Sequence, residues 1–340
     1  MQTILVTGGT GYIGSHTAVE LINNGYRVVI VDNLCNSQIE VLEGIEAITG
    51  VRPAFEQFDL CERNKVYNLF EKYKIDAIIH FAALKAVNES IEKPLEYYHN
   101  NLESLIILLE SMKKFDASSL VFSSSCTVYG QPDKLPVTES APIKKALAPY
   151  GKTKQMAEEI IQDAILAIPG IKAIALRYFN PIGAHPSAQI GELPRGVPQN
   201  LVPFVTQTVA GIREKLRVFG SDYETPDGTA IRDYIYVVDL AKAHVVSVKR
   251  MLENQNLSNY EIFNLGTGKG TSVMEIIKTF EKATGLKVNH EIVGRREGDI
   301  EKVWADTEYA NKVLGWNADT PLIETLRTAW NWEKKIRNIS

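Results

Sequence analysis

Tyr150 and Lys154 are four residues apart in the run Tyr150-Gly151-Lys152-Thr153-Lys154, which puts both side chains on one face of a helix, one turn apart. A phenol beside a cation can act as an acid/base. Free tyrosine titrates near pH ~10, so a phenol working near neutrality needs roughly 4 kcal/mol of preferential anion stabilisation. Lys154 is expected to supply part of it. Upstream, the apolar run Leu120-Val121-Phe122 continues into Ser123-Ser124-Ser125, so Ser125 sits at a strand end, where it can pass a substrate proton toward Tyr150. These three residues, Ser125, Tyr150 and Lys154, are the candidate catalytic set.

The remaining positive charge would come from a cofactor, and the N-terminus carries a site for one. Thr7-Gly8-Gly9-Thr10-Gly11-Tyr12-Ile13-Gly14 follows the first apolar strand and opens a helix. Glycines at 8, 11 and 14 permit a tight turn, a close backbone approach to a pyrophosphate, and close packing of helix on strand. Asp32 ends the second strand, where its carboxylate can accept from the ribose hydroxyls of NAD. A 2′-phosphate would be repelled there, and Asn33-Leu34-Cys35-Asn36 contains no Arg or Lys to offset the repulsion. NAD is therefore the expected cofactor, and its nicotinamide the second cation beside Tyr150. Asp59, at the end of the third strand, is placed to reach the adenine, and Lys85, after the fourth, a cofactor phosphate.

These residues need a scaffold that delivers strand ends to one edge. Ile4–Thr7, Val28–Asp32, Ala54–Asp59, Ala77–Phe81, Leu120–Ser124 and Ala173–Tyr178 read as strands. Between them, Ser15–Asn23, Glu40–Ile48, Asn64–Lys72, Leu95–Lys113 and Lys152–Ala167 carry apolar residues at helical spacing. Repeated β-α-β with right-handed crossovers predicts an α/β fold, a Rossmann-type doubly wound parallel sheet. From Pro181 onward prolines and glycines cluster and the alternation becomes irregular. We expect an NAD-binding domain over 1–180 and a smaller, interleaved α/β substrate domain over 181–340. Ile235–Val238 and Ile262–Leu265 read as strands, some returning to the first sheet, and Glu324–Lys335 as helix.

Bulk properties exclude several classes. The 340 residues carry a net charge of −4 with signs interspersed, which leaves no basic stripe for nucleic acid. Cys35, Cys61 and Cys126 are the three cysteines; their spacing suits reduced thiols, neither a disulfide framework nor a metal site. No apolar run is long enough to span a membrane, and the start has no signal-peptide pattern, so a cytosolic protein is expected.

Over nearly its whole length the chain resembles the extended short-chain dehydrogenase/reductase family and, within it, the UDP-glucose 4-epimerases (UDP-galactose 4-epimerases). Besides the motifs above, the likeness rests on the runs 32–37, 81–87 and 93–98, on Arg177-Tyr178-Phe179-Asn180-Pro181 and Gly183-Ala184-His185-Pro186, and on Arg232-Asp233-Tyr234-Ile235 and Arg295-Arg296-Glu297-Gly298-Asp299. The resemblance implies NAD contacts from Tyr12, Ile13, Asn33, Cys35, Asn36, Ser37, Leu60, Phe81, Ala82, Asn100 and Tyr178, beside those already named. It further implies nucleotide-sugar contacts from Lys85, Phe179, Asn180, Asn200, Leu201, Arg232, Arg296 and Asp299, with Arg217 to Phe219 beside the uracil. Forked guanidinium groups suit diphosphate oxygens.

The activity so implied is reversible inversion at C4 of a UDP-hexose through a 4-keto sugar, with Tyr150 exchanging the hydroxyl proton and NAD regenerated in each cycle. Family members restricted to UDP-glucose and UDP-galactose resemble one another in a bulky tyrosine four positions after the residue matching Asp299. This chain has Val303 there, so UDP-GlcNAc and UDP-GalNAc are expected substrates too. Related dehydratases and decarboxylases need acidic residues beside the serine, where this chain has Cys126 and Thr127. UDP-glucuronate 4-epimerisation and a catalytically silent NAD-binding regulator are the alternatives. The family likeness also implies a homodimer through the helices Leu95–Lys113 and Lys152–Ala167.

Overall fold

The computed structural model describes residues 1–296 and 299–339; Glu297 and Gly298 of the Arg295–Asp299 run lie outside the described residues, as does Ser340. Strands β1 (Thr3–Thr7), β2 (Arg27–Asp32), β3 (Ala54–Gln57), β4 (Ala77–His80), β5 (Ser119–Ser125) and β6 (Lys172–Tyr178) alternate with six helices. These are α1 (Tyr12–Asn23), α2 (Val41–Thr49), α3 (Arg63–Lys72), α4 (Val87–Glu92), α5 (Pro94–Lys114) and α6 (Pro149–Ala167). Then follow β7 (Asn180–Ile182), α7 (Leu201–Val209), β8 (Leu216–Phe219), β9 (Ile231–Arg232), β10 (Tyr234–Tyr236), α8 (Val237–Leu252) and β11 (Tyr260–Leu265). The remainder is β12 (Thr271–Ser272), α9 (Val273–Thr284), β13 (His290–Val293), β14 (Lys302–Val303), α10 (Glu308–Leu314) and α11 (Leu322–Arg337).

Seven strands form the main sheet in the order β11-β6-β5-β4-β1-β2-β3, every pair parallel. The order reverses between β1 and β4, which opens a crevice beyond their C-terminal ends. Alternate residues of each strand serve opposite layers. Ile4, Val6, Val28 and Ile30 pack with α1, α2 and α8, whereas Leu5, Val29 and Val31 pack with α3, α5 and α6. Each large apolar side chain so buried stabilises the fold by about 1.5–3 kcal/mol, enough to make the two-sided pattern decisive.

The second half contributes to both regions. Its strand β11 completes the main sheet beside β6, and α8 packs against α1. The rest builds a smaller core from Ile182, Val205, Leu216, Val218, Tyr234, Ile276, Phe280, Leu326 and Trp330. The strand expected over Ile235–Val238 is corrected. Pairing with β7 stops at Tyr236, and Val237 opens a helix whose Leu240, Ala243, Val248 and Met251 join the main core. The β-branched pair Val237-Val238 mimics a strand, but the helical stripe after it prevails. Likewise β3 ends at Gln57, leaving Asp59 in the loop beyond. Among the described residues, no helix is long and apolar enough to cross a membrane.

Candidate active site

The turn from β1 into α1 is built for close approach. Gly8 has φ +68° and a Cβ there would meet the Ala82 backbone, while a Cβ on Gly14 would lie 2.3 Å from the Gly8 carbonyl oxygen and force helix and turn apart. No side chain caps α1 at Gly11, which leaves the first N–H groups and the positive end of the helix directed at the crevice. Asp32 sits at the rim; its carboxylate accepts from Leu34 N at 2.9 Å, Ser37 Oγ at 3.1 Å and Thr10 N at 3.2 Å. Asn33 links this loop to the next by donating to Asp59 at 2.9 Å. Among the described residues no group of His, Cys, Asp and Glu is arranged to hold a metal ion. The glycine elbow, the uncapped helix and the rim carboxylate fit a dinucleotide.

The acid/base set gathers at the C-terminal end of β5, two strands along from β1 in the same sheet. Pro149 starts α6 and its fixed φ favours the first turn, placing Tyr150 at the helix mouth. Ser125 ends β5, and its hydroxyl accepts from Thr127 N and Thr127 Oγ1 at 3.2 and 3.0 Å. Lys154, one turn below Tyr150, is buried and donates to the Ser123 carbonyl at 2.6 Å. Burial pushes its ammonium down to about 8, opposed by the Glu158 carboxylate.

In the protein alone the phenolate is disfavoured. Burial pushes the Tyr150 phenol up to about 12, with the Ser125 hydroxyl pulling the other way. Lys154 does not overcome that burial, because its ammonium is engaged by Ser123 and lies 5.9 Å from the Tyr150 ring centre. By themselves the protein's groups leave the phenol protonated at neutral pH, and a positive nicotinamide bound beside it would favour the phenolate.

A buried polar network supports this set. The Glu158 carboxylate accepts from Ser124 Oγ at 2.5 Å and from Arg177 Nε and Nη2 at 2.9 and 2.5 Å. Arg177 Nη1 donates to Tyr129, which donates to Asn264. These bonds tie α6 to β5, β6 and β11. Asn101 pins the Leu84 backbone from both sides and also donates to Thr153 on α6.

The sugar-nucleotide candidates come together on the smaller core. β14 pairs with β9 so that Val303 stands opposite Arg232, and Asp299 accepts from Arg232 at 2.9 Å and Arg296 at 3.1 Å. Arg296 also lies over the Phe219 ring at 5.6 Å. Arg217 is exposed on β8, 3.5 Å from Glu291. Asn180 N bonds the Asp233 carbonyl at 2.9 Å, next to Arg232. Val303 is buried in one cluster with Val128, Tyr129 and Phe179, against which Cys126 packs.

Lys85 and Asn200 meet at Glu192, at 3.9 and 2.7 Å, with Leu201 starting α7. Tyr12 crosses to the second lobe and donates to the Gly183 carbonyl at 2.6 Å, while Ile13 packs partly against the main core. Phe81, His244 and Tyr178 form an aromatic row, with ring centres 4.7 and 5.9 Å apart, and Tyr178 hydrogen-bonds Ser123. Ala82 lies against Gly8, Leu60 is buried, and Asn100 is partly buried beside Asn101. Cys35 and Asn36 are exposed on the loop after β2.

Three residues of weight escaped the sequence reading. Glu158 had a detectable signal, since it continues the Tyr150, Lys154 stripe at i+4. Glu192 and Arg195 had none, because they lie in an irregular Pro/Gly segment. Arg195 brings a cation to the loop after β2 that the run Asn33-Leu34-Cys35-Asn36 itself does not contain. From far along the chain it donates to the Leu34 and Ser37 carbonyls at 2.9 and 2.7 Å.

A glycine elbow at the sheet's switch point, with a tyrosine, lysine and serine across from it, defines an NAD-dependent enzyme of the short-chain dehydrogenase/reductase class. The chain matches the family model described as GDP-mannose 4,6 dehydratase over residues 5–329. It is 50% identical to a UDP-glucose 4-epimerase of Bacillus subtilis, covering 99% of this chain and 98% of that one. Among solved structures it is similar to a UDP-glucose-4-epimerase from Stenotrophomonas maltophila with bound NAD and formylated UDP-arabinopyranose, at 46% identity and a TM-score of 0.96 over all of both chains. It is also similar to a UDP-glucose 4-epimerase from Bifidobacterium longum in complex with NAD+ and UDP, at 45% identity and a TM-score of 0.94, again over all of both chains. The chain belongs to the UDP-glucose 4-epimerase family.

Proposed function

We propose that this protein interconverts UDP-glucose and UDP-galactose by inverting C4 of the hexose, using NAD held in the elbow of α1. The reading is supported above all by Tyr150 and Lys154 on α6 together with Ser125 at the end of β5, in the same sheet as the elbow after β1, while Cys126, next to Ser125, packs on the cluster of Val303, which stands opposite Arg232. When bound, NAD supplies the oxidising nicotinamide and a positive charge beside Tyr150. Tyr150 removes the C4 hydroxyl proton, aided by Ser125, and gives it back to the C4 oxygen once the keto hexose has turned, so that the hydride held by the nicotinamide would return to the other face of C4. Lys154 favours the phenolate by its charge. The two arginines grip the diphosphate, far enough from C4 that the 4-keto hexose turns over without leaving. Elimination of water, the chemistry for which the matched family model is named, needs a carboxylate beside Ser125, and Cys126 and Thr127 stand there instead.

Val303 extends the substrate range to UDP-GlcNAc and UDP-GalNAc, because valine fills less space beside Phe179 than the tyrosine of family members restricted to UDP-glucose and UDP-galactose. The protein acts as a homodimer through α5 and α6, a reading supported by Leu95 and Ile106 exposed on α5 and Leu166 on α6. Three free cysteines suit the reducing cytosol. The test is turnover of UDP-galactose and UDP-GalNAc side by side, without added NAD, with Val303→Tyr run in parallel. We expect conversion of both by the natural protein and selective loss of UDP-GalNAc turnover, by about tenfold or more, in the variant. An equal effect on both sugars rules out Val303 as the gate, and no conversion even with added NAD rules out the epimerase reading.

A further inference from the structure

The segment around residues 184–195 leaves the smaller lobe and crosses to the dinucleotide domain. A bridge between Ala184 and Gly191 closes it into a loop. Ile190 is buried in the main core with Leu42 and Ile45, and the Gln189 carbonyl oxygen would lie 2.6 Å from a Cβ on Gly44, so the loop packs directly on the backbone of α2. On its other side Gly191 lies against the Trp332 ring, and Trp332 Nε1 donates to the Glu192 carbonyl at 2.8 Å. The segment is thus anchored at both lobes before it reaches Arg195.

From that anchorage Arg195 Nη2 donates to the carbonyl oxygens of Leu34 and Ser37. The loop it grips is the one that surrounds Asp32. That loop is held from inside by the Asp32 carboxylate, through Leu34 N and Ser37 Oγ, and Leu34 sits at φ +60°, a conformation that non-glycine residues adopt at a cost. A cofactor ribose bound to Asp32 would sit against this loop, so the hold on the loop is expected to bear on how fast NAD leaves.

We propose that Arg195 is a positioning residue for the cofactor, fastening the loop after β2 to the second lobe and thereby slowing the release of NAD. This rests on the dinucleotide site described above and not on the identity of the sugar. Arg195 is itself exposed, so its truncation opens no cavity. The guanidinium is a charged donor to two neutral acceptors, and hydrogen bonds of that kind exceed ordinary ones in strength.

The test follows release of bound NAD from the purified holoenzyme after a chase with excess labelled NAD, alongside amide hydrogen exchange over residues 34–37. Arg195→Ala is expected to release NAD about tenfold faster and to raise exchange in that loop, and Arg195→Lys, which keeps one charged contact, to restore part of both. Equal release rates in the natural protein and Arg195→Ala overturn the proposal. Faster release with unchanged exchange at residues 34–37 also overturns it, because Arg195 would then act by another route. Neither readout needs catalytic turnover, so failure here is distinguishable from failure of the epimerase assignment.

Discussion

Tyr150 is a half-buried phenol pushed up to about 12 by desolvation, and the chemistry asks it to work several units lower. Tyr150→Phe removes the proton carrier while leaving the ring, the Lys154 contacts and the dinucleotide elbow in place. We expect turnover of UDP-galactose to fall about a thousandfold with NAD still bound, checked by product chromatography beside the absorbance of the retained cofactor. Turnover within tenfold of the natural protein would falsify the tyrosine mechanism. At this scale the sequence was informative about which residues meet, because Tyr150 and Lys154 share a helix face whatever else happens. It was silent on the sign of the perturbation. Burial of a phenol is a sum over groups from several elements, and no local spacing reports it.

At the scale of elements, α6 carries three functional positions in one stripe, Tyr150, Lys154 and Glu158. Glu158 is buried with Arg177 and faces the Lys154 charge from one turn below. Replacing one member of a buried pair strands the other, whereas replacing both does not. Glu158→Gln is therefore expected to cost about 3–5 kcal/mol of unfolding free energy by urea titration, and Glu158→Gln with Arg177→Met to recover a substantial part of that. If the double variant is as unstable as the sum of the single ones, the two side chains do not act as a pair. The helices and central strands were legible here, since their periodicities are long and two-sided. Val237-Val238 misled because two β-branched residues weigh heavily in a short window, while the stripe that makes α8 a helix begins only at Leu240. Glu192 and Arg195 were illegible for a different reason: an irregular segment has no period from which to read where a side chain will go.

Across the whole molecule, three histidines are buried between sheet and helices. Burial pushes His16 and His80 down to about 3 and His244 down to about 4. Unfolded histidine binds a proton near pH ~6.5, so between about pH 6.5 and 4 the unfolded chain holds more protons than the folded one. Stability accordingly falls as pH drops through that window, by up to about 1.4 kcal/mol per pH unit for each histidine. Urea midpoints at pH 7 and pH 5 should differ, and His244→Gln should narrow the gap; an unchanged gap would show that other groups drive the acid loss. The interleaving of the two halves was legible from the apolar run near residue 262, and it bears on how the protein is made. The strand that closes the main sheet beside β6 is β11, and it leaves the ribosome only after β7, α7, β8, β9, β10 and α8 have been synthesised. Until then β6 is a bare edge, its backbone donors and acceptors open to any neighbouring strand. The nascent dinucleotide half therefore keeps an open edge until Tyr260–Leu265 emerges, and its sheet closes only once the first strands of the smaller core have been made.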